Sequence, residues 1–540
     1  MRLLKCSLFG LFFGAACLTA EAQDMGSVTG NFQMDGQYYI EDTLIGAEEV
    51  PEKIRSNTYA GIEYRKGNFR AGVRYESYQK PLIGFDPNYE GSGITYRFAT
   101  YTTKEFDFTV GNFYDQFGSG MIFRAFEDRN LGIDNSVDGV NVRYRPAPGL
   151  TLKGMIGKQR NFFSYGQGIV RGLDAELQLN EAFESLAEIN STWIIGGSVV
   201  SKYQRDKDPF LNLPENVSAF SGRANMISGG VSLSAEYGFK VNDPSQSNNY
   251  NYNNGQAVSL MGSYSQKGFS TTLGVKRVDN MDFRSDRNVS NNELTLSYLP
   301  AFTRQHTYQL AAFYPYGTQP NGESAVQAGV TYKLPRKSAL GGKYGTLIGV
   351  NFSQVTTTEQ ALDSASRQYE TEFLTVGDIL LFRDFNIEVQ KKFNKQWKGT
   401  FQYLNISYDK NRIEVTTGFD PVKANIGVVD LTYKINTKNA IRGEAQFMQT
   451  KQDQGNWMLG LLEYTVSPHW FFAFIDQYNY GNPDDKKKIH YLVGSAGYNT
   501  GTTRVAMGYG KQRAGIVCVG GVCRQLPATN GFTINITSSF

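Results

Sequence analysis

Gly531-Phe-Thr-Ile-Asn-Ile-Thr-Ser-Ser-Phe540 decides how the rest of the sequence is read. Phe532, Ile534 and Ile536 alternate with Thr533, Asn535 and Thr537, a half-apolar strand of period two that stops on an aromatic residue. A free strand edge ending in an exposed Phe invites unwanted pairing in a soluble protein. In an outer-membrane barrel the same ending is useful: the last strand closes onto the first, and Phe540 sits at the membrane interface. Phe532, Ile534, Ile536 and Phe540 have the form of a C-terminal signal for the outer-membrane barrel assembly machinery.

The opposite end agrees. Met1-Arg-Leu-Leu-Lys5 is basic, Ser7 to Leu18 is apolar with small residues, and Ala20-Glu21-Ala22 offers a cleavage site. We expect residues 1–22 to be a signal peptide and 23–540 one barrel domain. Gly14-Ala15-Ala16-Cys17 lacks the leucine of a lipobox, which disfavours a lipoprotein. Beyond the signal no run of about 18 apolar residues predicts a transmembrane helix. A hydrophobic content of 40% with 14% aromatics and a mean hydropathy of −0.39 suits a barrel whose alternate residues face lipid and water. The net charge of +3 singles out no nucleic acid or acidic partner.

Alternation recurs at Val28–Ile40, Phe69–Glu76, Val231–Lys240 and Ile441–Phe447. Short connections such as Lys66-Gly67-Asn68, Pro146-Ala147-Pro148, Gln266-Lys267-Gly268 and Ser467-Pro468 separate long ones such as Glu41–Ser56, Gln204–Asn216 and Ala514–Asn530. This parity predicts an all-β fold: one large antiparallel transmembrane β-barrel of about 26 strands, with short periplasmic turns and long extracellular loops. Glu181–Ile189 reads as a short helix, and Asn-rich Val241–Gly255 as a mobile loop. No second domain and no N-terminal plug are expected. Propellers and sandwich arrays would show repeats or linkers, and the sequence has neither.

Cys518 and Cys523 flank Val519-Gly520-Gly521-Val522. A two-residue Gly-Gly turn pairs Val519 with Val522 and places the cysteines opposite one another, about 4.5 Å apart at Cα. A disulfide fits an oxidising compartment, and a two-cysteine metal site is the weaker reading.

Catalysis is not expected. His306 and His469 sit beside predicted turns at Thr303-Arg304 and Ser467-Pro468, and His490 begins a strand. No nucleophile elbow or metal-ligand motif accompanies them, so no cofactor or metal is assigned. The segment that stands out is Gly111–Gly139. It sets Phe113, Tyr114, Phe117, Phe123 and Phe126 among charged residues, of which Arg124, Glu127, Asp128, Arg129 and Asp134 are candidates for a lumen constriction. An external loop packed on its own side chains is the competing reading. Charges on predicted strands, among them Arg70, Arg74, Glu76, Arg97, Arg143, Glu176, Lys276 and Arg442, fall opposite an apolar face. Toward lipid each Arg or Lys costs about 2–4 kcal/mol near the midplane, so most are expected inward. There they either line a water-filled pore or form salt-bridge networks that stiffen the wall.

Phe117–Asp134 and Tyr298-Leu-Pro-Ala-Phe-Thr-Arg-Gln-His-Thr-Tyr-Gln-Leu-Ala-Ala-Phe-Tyr-Pro-Tyr316 resemble segments of a Bacteroidota outer-membrane family classed by a domain of unknown function. The resemblance implies an outer-membrane location and supplies no substrate. The function expected from size is a passive, porin-like channel for solutes. The alternative is a structural barrel in a surface or secretion complex, with a lipoprotein or second barrel as partner and membrane lipids around it.

Overall fold

A computed structural model describes residues 25–363, 367–373 and 375–540; the expected signal peptide lies outside them. Twenty-four antiparallel strands, from Ser27–Tyr39 to Thr529–Ser539, each pair with the next in sequence. The last also pairs with the first, in the register Asn31 to Ser539 through Tyr39 to Gly531, so the sheet closes without an edge. The strands are 8–15 residues long, as a tilted membrane-spanning strand requires.

Side-chain alternation explains the closure. Ile62, Val73, Leu173, Leu233, Leu273 and Leu462 are all exposed on the outer wall. Aromatic residues collect at the short-turn end, where Phe106 stacks beside Phe108, Trp397 on Tyr433 and Trp470 on Phe472. They form the interfacial girdle such a barrel needs. Phe540 finishes the seam. Its backbone exchanges hydrogen bonds with Gly30 (2.9 and 3.0 Å), and a Cβ at Gly30 would overlap its ring. Phe532, Ile534 and Ile536 stand opposite Tyr38, Gly36 and Met34.

The predicted short and long connections recur at the places quoted above, and where one short helix was expected at Glu181–Ile189 there are two, Leu179–Ala182 and Glu184–Ala187. The strand total is 24 against the expected 26 or so. One source of the difference is the predicted turn at Thr303-Arg304: residues 280–321 form no barrel strand and lie inside the barrel instead. Pro300, Pro315 and Pro320 each remove a ladder donor, and Leu310-Ala-Ala-Phe-Tyr314 is a contiguous apolar run with no alternation.

Two further expectations are corrected. Arg97 does not point into the lumen. The pairing of Phe69–Lys80 with Gly91–Thr102 shifts between Arg74 and Tyr75, which moves Arg97 to the outer face. There it contacts Asp138 (3.1 Å) and the Tyr165 hydroxyl (3.2 Å). Val241–Gly255 is a tethered loop: Asn248 is buried and donates to the Asp243 carbonyl, and Asp243 pairs with Lys202 at 2.8 Å.

Candidate functional site

Two of the connections at the long-loop end, joined by the hairpin described below, fold inward and fill that half of the lumen. The first, residues 114–136, follows the fifth strand (Phe106–Phe113), and the second, residues 280–321, follows the thirteenth (Phe269–Asp279). Two apolar cores hold them, the first shared by both segments. Phe117, Met121, Ile122 and Phe123 pack with Met281, Phe283 and Leu296 against wall residues Met155, Val200 and Val278. Gly172 on the wall leaves the space that the Phe117 ring occupies, where a Cβ would sit 2.7 Å from it. Leu310, Phe313, Tyr314 and Tyr316 pack against Leu404, Ile406, Met448 and Trp457. The segments are also stitched together: Arg124 N–H donates to the Leu296 carbonyl (2.8 Å) and Tyr298 N–H to that of Gly120 (2.9 Å).

Buried charges fix the first segment to the wall. On the third strand (Phe69–Lys80), Arg74 reaches Glu127 at 2.9 Å and also pairs with Asp134. Arg160 donates to Asp134 and to Glu76, each at 2.6 Å, and its side chain is only 2% exposed. Arg129 bridges Glu127 (2.6 Å) and Gln33 (2.8 Å). Further along, Lys153 pairs with Asp115 (3.0 Å), and Glu236 accepts from the Ser119 N–H (2.9 Å). Burying so many charges is tolerable because nearly all are paired, and Glu236, which has no ion pair among the described residues, is held by the Ser119 N–H.

The second segment continues across the lumen. Lys276 pairs with Glu323 (2.5 Å) and donates to the Pro300 carbonyl (2.6 Å). On the sixteenth strand (Leu380–Lys392), Arg304 reaches Glu388 (2.5 Å) and His306 reaches Asp384 (2.8 Å). His306 is therefore a lumen residue and not, as expected, a neighbour of a short turn. Tyr308 donates to Asp430 (3.1 Å), and Gln446 accepts from the Leu310 N–H (2.8 Å). From Arg74 to Glu388 the anchors lie thirteen strands apart one way round and eleven the other. The joined segments thus span the diameter.

The cysteine hairpin is the third inward element. Gly515–Val519 and Val522–Leu526 pair in the expected register, and Cys518 is bonded to Cys523. Its tip meets the second segment: Asn292 donates to the Cys523 carbonyl (2.7 Å), Gln305 to that of Cys518 (3.1 Å) and Thr318 N–H to that of Gly521 (2.9 Å).

The five constriction candidates take different places. Glu127, Arg129 and Asp134 belong to the wall-anchoring network. Arg124 lies over the rings of Tyr298 (3.9 Å) and Phe126 (4.5 Å) and joins the two segments. Asp128 caps a turn, accepting from the N–H groups of Asn130 (2.9 Å) and Leu131 (3.1 Å). None of these roles is that of a charge standing free in a pore. Residues 280–321, which include the Tyr298–Tyr316 stretch, form a second obstruction that the charge pattern of the sequence does not mark. Wet charges are found nearer the short turns: the side chains of Arg70, Arg143 and Glu176 are 49%, 40% and 44% exposed, against 0% for Lys202 near the long loops. The lumen is filled at one end and open to water at the other.

His490 stacks on Tyr478 (3.9 Å) and contacts Asp476 (2.9 Å), while His469 stacks on Tyr498 (5.3 Å). Among the described residues no cluster of three or more His, Cys, Asp or Glu side chains has the form of a metal site.

Among solved structures, the ferric enterobactin receptor PfeA of Pseudomonas aeruginosa is similar at 11% identity over 95% of this chain and 82% of that one, with a TM-score of 0.44. The translocation pore of the E. coli P pilus usher PapC matches at 9% identity over 95% and 99%, TM-score 0.42. The siderophore receptor PirA of P. aeruginosa matches at 9% identity over 96% and 81%, TM-score 0.40. No curated protein matches the sequence. A family model does, over residues 3–540, and the chain belongs to that family of unknown function, DUF6029.

Proposed function

We propose that this barrel is an outer-membrane conduit for solutes whose long-loop half faces outward and is held shut in the observed state by its two inward segments. The observation that carries the reading is the fixed connection across the lumen from Arg74 through Arg124 and Leu296 to Glu388. A barrel of 24 strands is wider than those that already leave an aqueous channel, so what closes it governs what it does. The porin-like reading is narrowed accordingly: passage requires the segments to shift, and the wet charges at the short-turn end line the exit. Export through residues 1–22, insertion through the Phe532–Phe540 strand by the assembly machinery, and the absence of catalysis belong to the same proposal. The attribution to Bacteroidota rests on the two quoted segments alone.

A second reading has its own support. The cluster of Leu310, Phe313 and Tyr314 on Leu404, Ile406 and Trp457 resembles a protein core more than a gate. It would suit a scaffold barrel that never opens and works through a partner lipoprotein or barrel. Liposome swelling separates the two. Replace 118–134 and 283–318 with short linkers and compare influx of small sugars with the intact protein. A conduit swells slowly when intact and fast when cleared. If a correctly folded, cleared barrel admits no more solute than the intact one, the conduit reading fails.

A further inference from the structure

Between the inward segments and the long-loop rim lies a cavity of about 950 Å³, within the usual size of small-molecule sites. Its floor is formed by Leu131–Asn135 and Asn291–Leu294, and one wall by Arg513–Ile516 with Cys523–Pro527. Phe85, Tyr89, Phe162 and Phe313 present ring surfaces to it.

Most of its charges are already engaged. Asp134 is taken by Arg74 and Arg160, and Asp453 by Lys410 (2.8 Å) and the Tyr314 hydroxyl (3.1 Å). Glu414 accepts from the Tyr408 hydroxyl (3.1 Å), and Asp86 caps Asn88 (2.9 Å). Glu293, the remaining carboxylate, is partly buried, lies between the opposing fields of Asp86 and Arg284, and is hydrogen-bonded by the Asn161 side chain. Two arginines are the exception. Among the described residues, neither Arg513 nor Arg524 forms an ion pair. Arg513 lies over the Phe313 ring at 3.5 Å and donates only to the neighbouring Ala514 carbonyl (2.8 Å). Arg524 lies over Phe85 at 4.1 Å, and its Nε and Nη1 are buried with no acceptor among the described residues. Asp453 and Glu414 act on Arg513, and Asp128 on Arg524, through space and without contact, and a guanidinium withdrawn from water with no carboxylate bonded to it is costly. Its planar fork matches a carboxylate or phosphate, and stacking on a ring leaves a guanidinium's hydrogen-bonding capacity unspent.

We propose that this cavity binds a small organic anion, its carboxylate or phosphate held by Arg524 and Arg513 and its carbon skeleton lodged against Phe85 and Phe313. Burial draws the Arg513 guanidinium down to about 10, which leaves it charged at neutral pH. The proposal deepens the conduit reading, on which it rests for its meaning, by naming the class of solute captured before passage.

Titration calorimetry on the refolded full chain in detergent tests it, with benzoate, phenyl phosphate and the neutral isostere benzamide as probes. Saturable binding of benzoate or phenyl phosphate but not benzamide is expected, weakened roughly tenfold or more in Arg524→Gln and Arg513→Gln, as loss of a charge-assisted bond implies. Which anion binds tells carboxylate from phosphate. Arg524→Lys keeps the charge and retains part of the affinity. Heat-modifiable gel migration confirms that each variant is folded. The proposal is overturned if neither anion binds the folded protein, or if both glutamine variants bind as well as the wild type. Calorimetry involves no transport, so its failure leaves the swelling result standing, and the reverse holds equally.

Discussion

Arg160→Met tests whether buried ionic contacts hold the first inward segment. Arg160 supplies two bonds to Glu76 (2.6 and 2.9 Å), one to Asp134 (2.6 Å) and one to the Phe162 carbonyl (2.7 Å). Methionine preserves much of the volume and removes all four. Glu76 and Asp134 would then share Arg74 alone, in a site where Glu76 is 1% exposed. Breaking a buried pair by removing one partner costs about 3–5 kcal/mol, because a desolvated charge is left behind. The apolar lobe is held differently. Phe117, Ile122 and Phe123 are fully buried, and at about 1.5–3 kcal/mol each they contribute roughly 5–9 kcal/mol as an upper estimate. That lobe should therefore stay in place while the Glu127–Asp134 ribbon opens.

Native-state hydrogen exchange reads such local openings as free energies. In Arg160→Met the amides of Glu127–Asn135 should exchange on the order of a hundred- to a thousandfold faster, at about 1.4 kcal/mol per decade. Those of Phe117–Phe123 should change little. Adding Glu76→Gln removes the stranded charge and should recover part of the protection. Unchanged exchange in the ribbon of a folded Arg160→Met barrel would mean that the buried ionic contacts do not hold it. Uniform acceleration over the whole segment would refute the division into two separately held parts.

Gly30→Val should lower the yield of heat-modifiable barrel by crowding Phe540 at the seam, whereas Gly443→Val, with open space around its Cβ position, should not; equal yields on a gel would remove the seam argument. Cys518→Ser with Cys523→Ser should loosen the hairpin by about 2 kcal/mol on the loop-entropy estimate, seen as faster proteolysis of Gly515–Leu526 and faster exchange at Asn292–Gln305. Burial raises the Glu414 carboxyl above its usual 4.5, against the opposing pull of Lys410. The folded state thus holds that proton more tightly than the unfolded chain, and the associated stability is present below 4.5 and lost as pH rises through the raised value. Glu414→Gln should protect residues 409–421 from protease better than wild type at pH 8 and equally at pH 4; an identical pH dependence in both would contradict this.

Barrel closure could be read from the sequence because each outer-wall residue obeys a two-residue period against a single solvent, the lipid. Phe532, Ile534 and Ile536 needed no partner to be interpreted. The inward segments were harder to read, since their neighbours are brought together only by the closed wall. A signal did exist. In Val422–Lys434 the apolar alternation starts on the buried, inward Val422, Ala424, Ile426 and Val428, opposite the exposed Lys423 and Asn425, and passes only then to the outward Val429 and Leu431. Such a strand implies that something dry covers its inner side. The Phe117–Asp134 charges were recognised as unusual, but whether Arg124 faces water or an aromatic ring depends on Tyr298, which is far away in sequence. Arg97 was misread because one irregular step in pairing reverses the faces, and a bulge leaves no mark in composition.

Single-channel conductance in a planar bilayer measures whether the inward segments close the lumen, with the intact protein beside the variant in which linkers replace 118–134 and 283–318. The intact barrel should be closed or open rarely and briefly, and the cleared barrel should show large, steady openings. Large, steady openings of the intact protein, equal to those of the cleared one, would mean that the inward segments do not close the lumen.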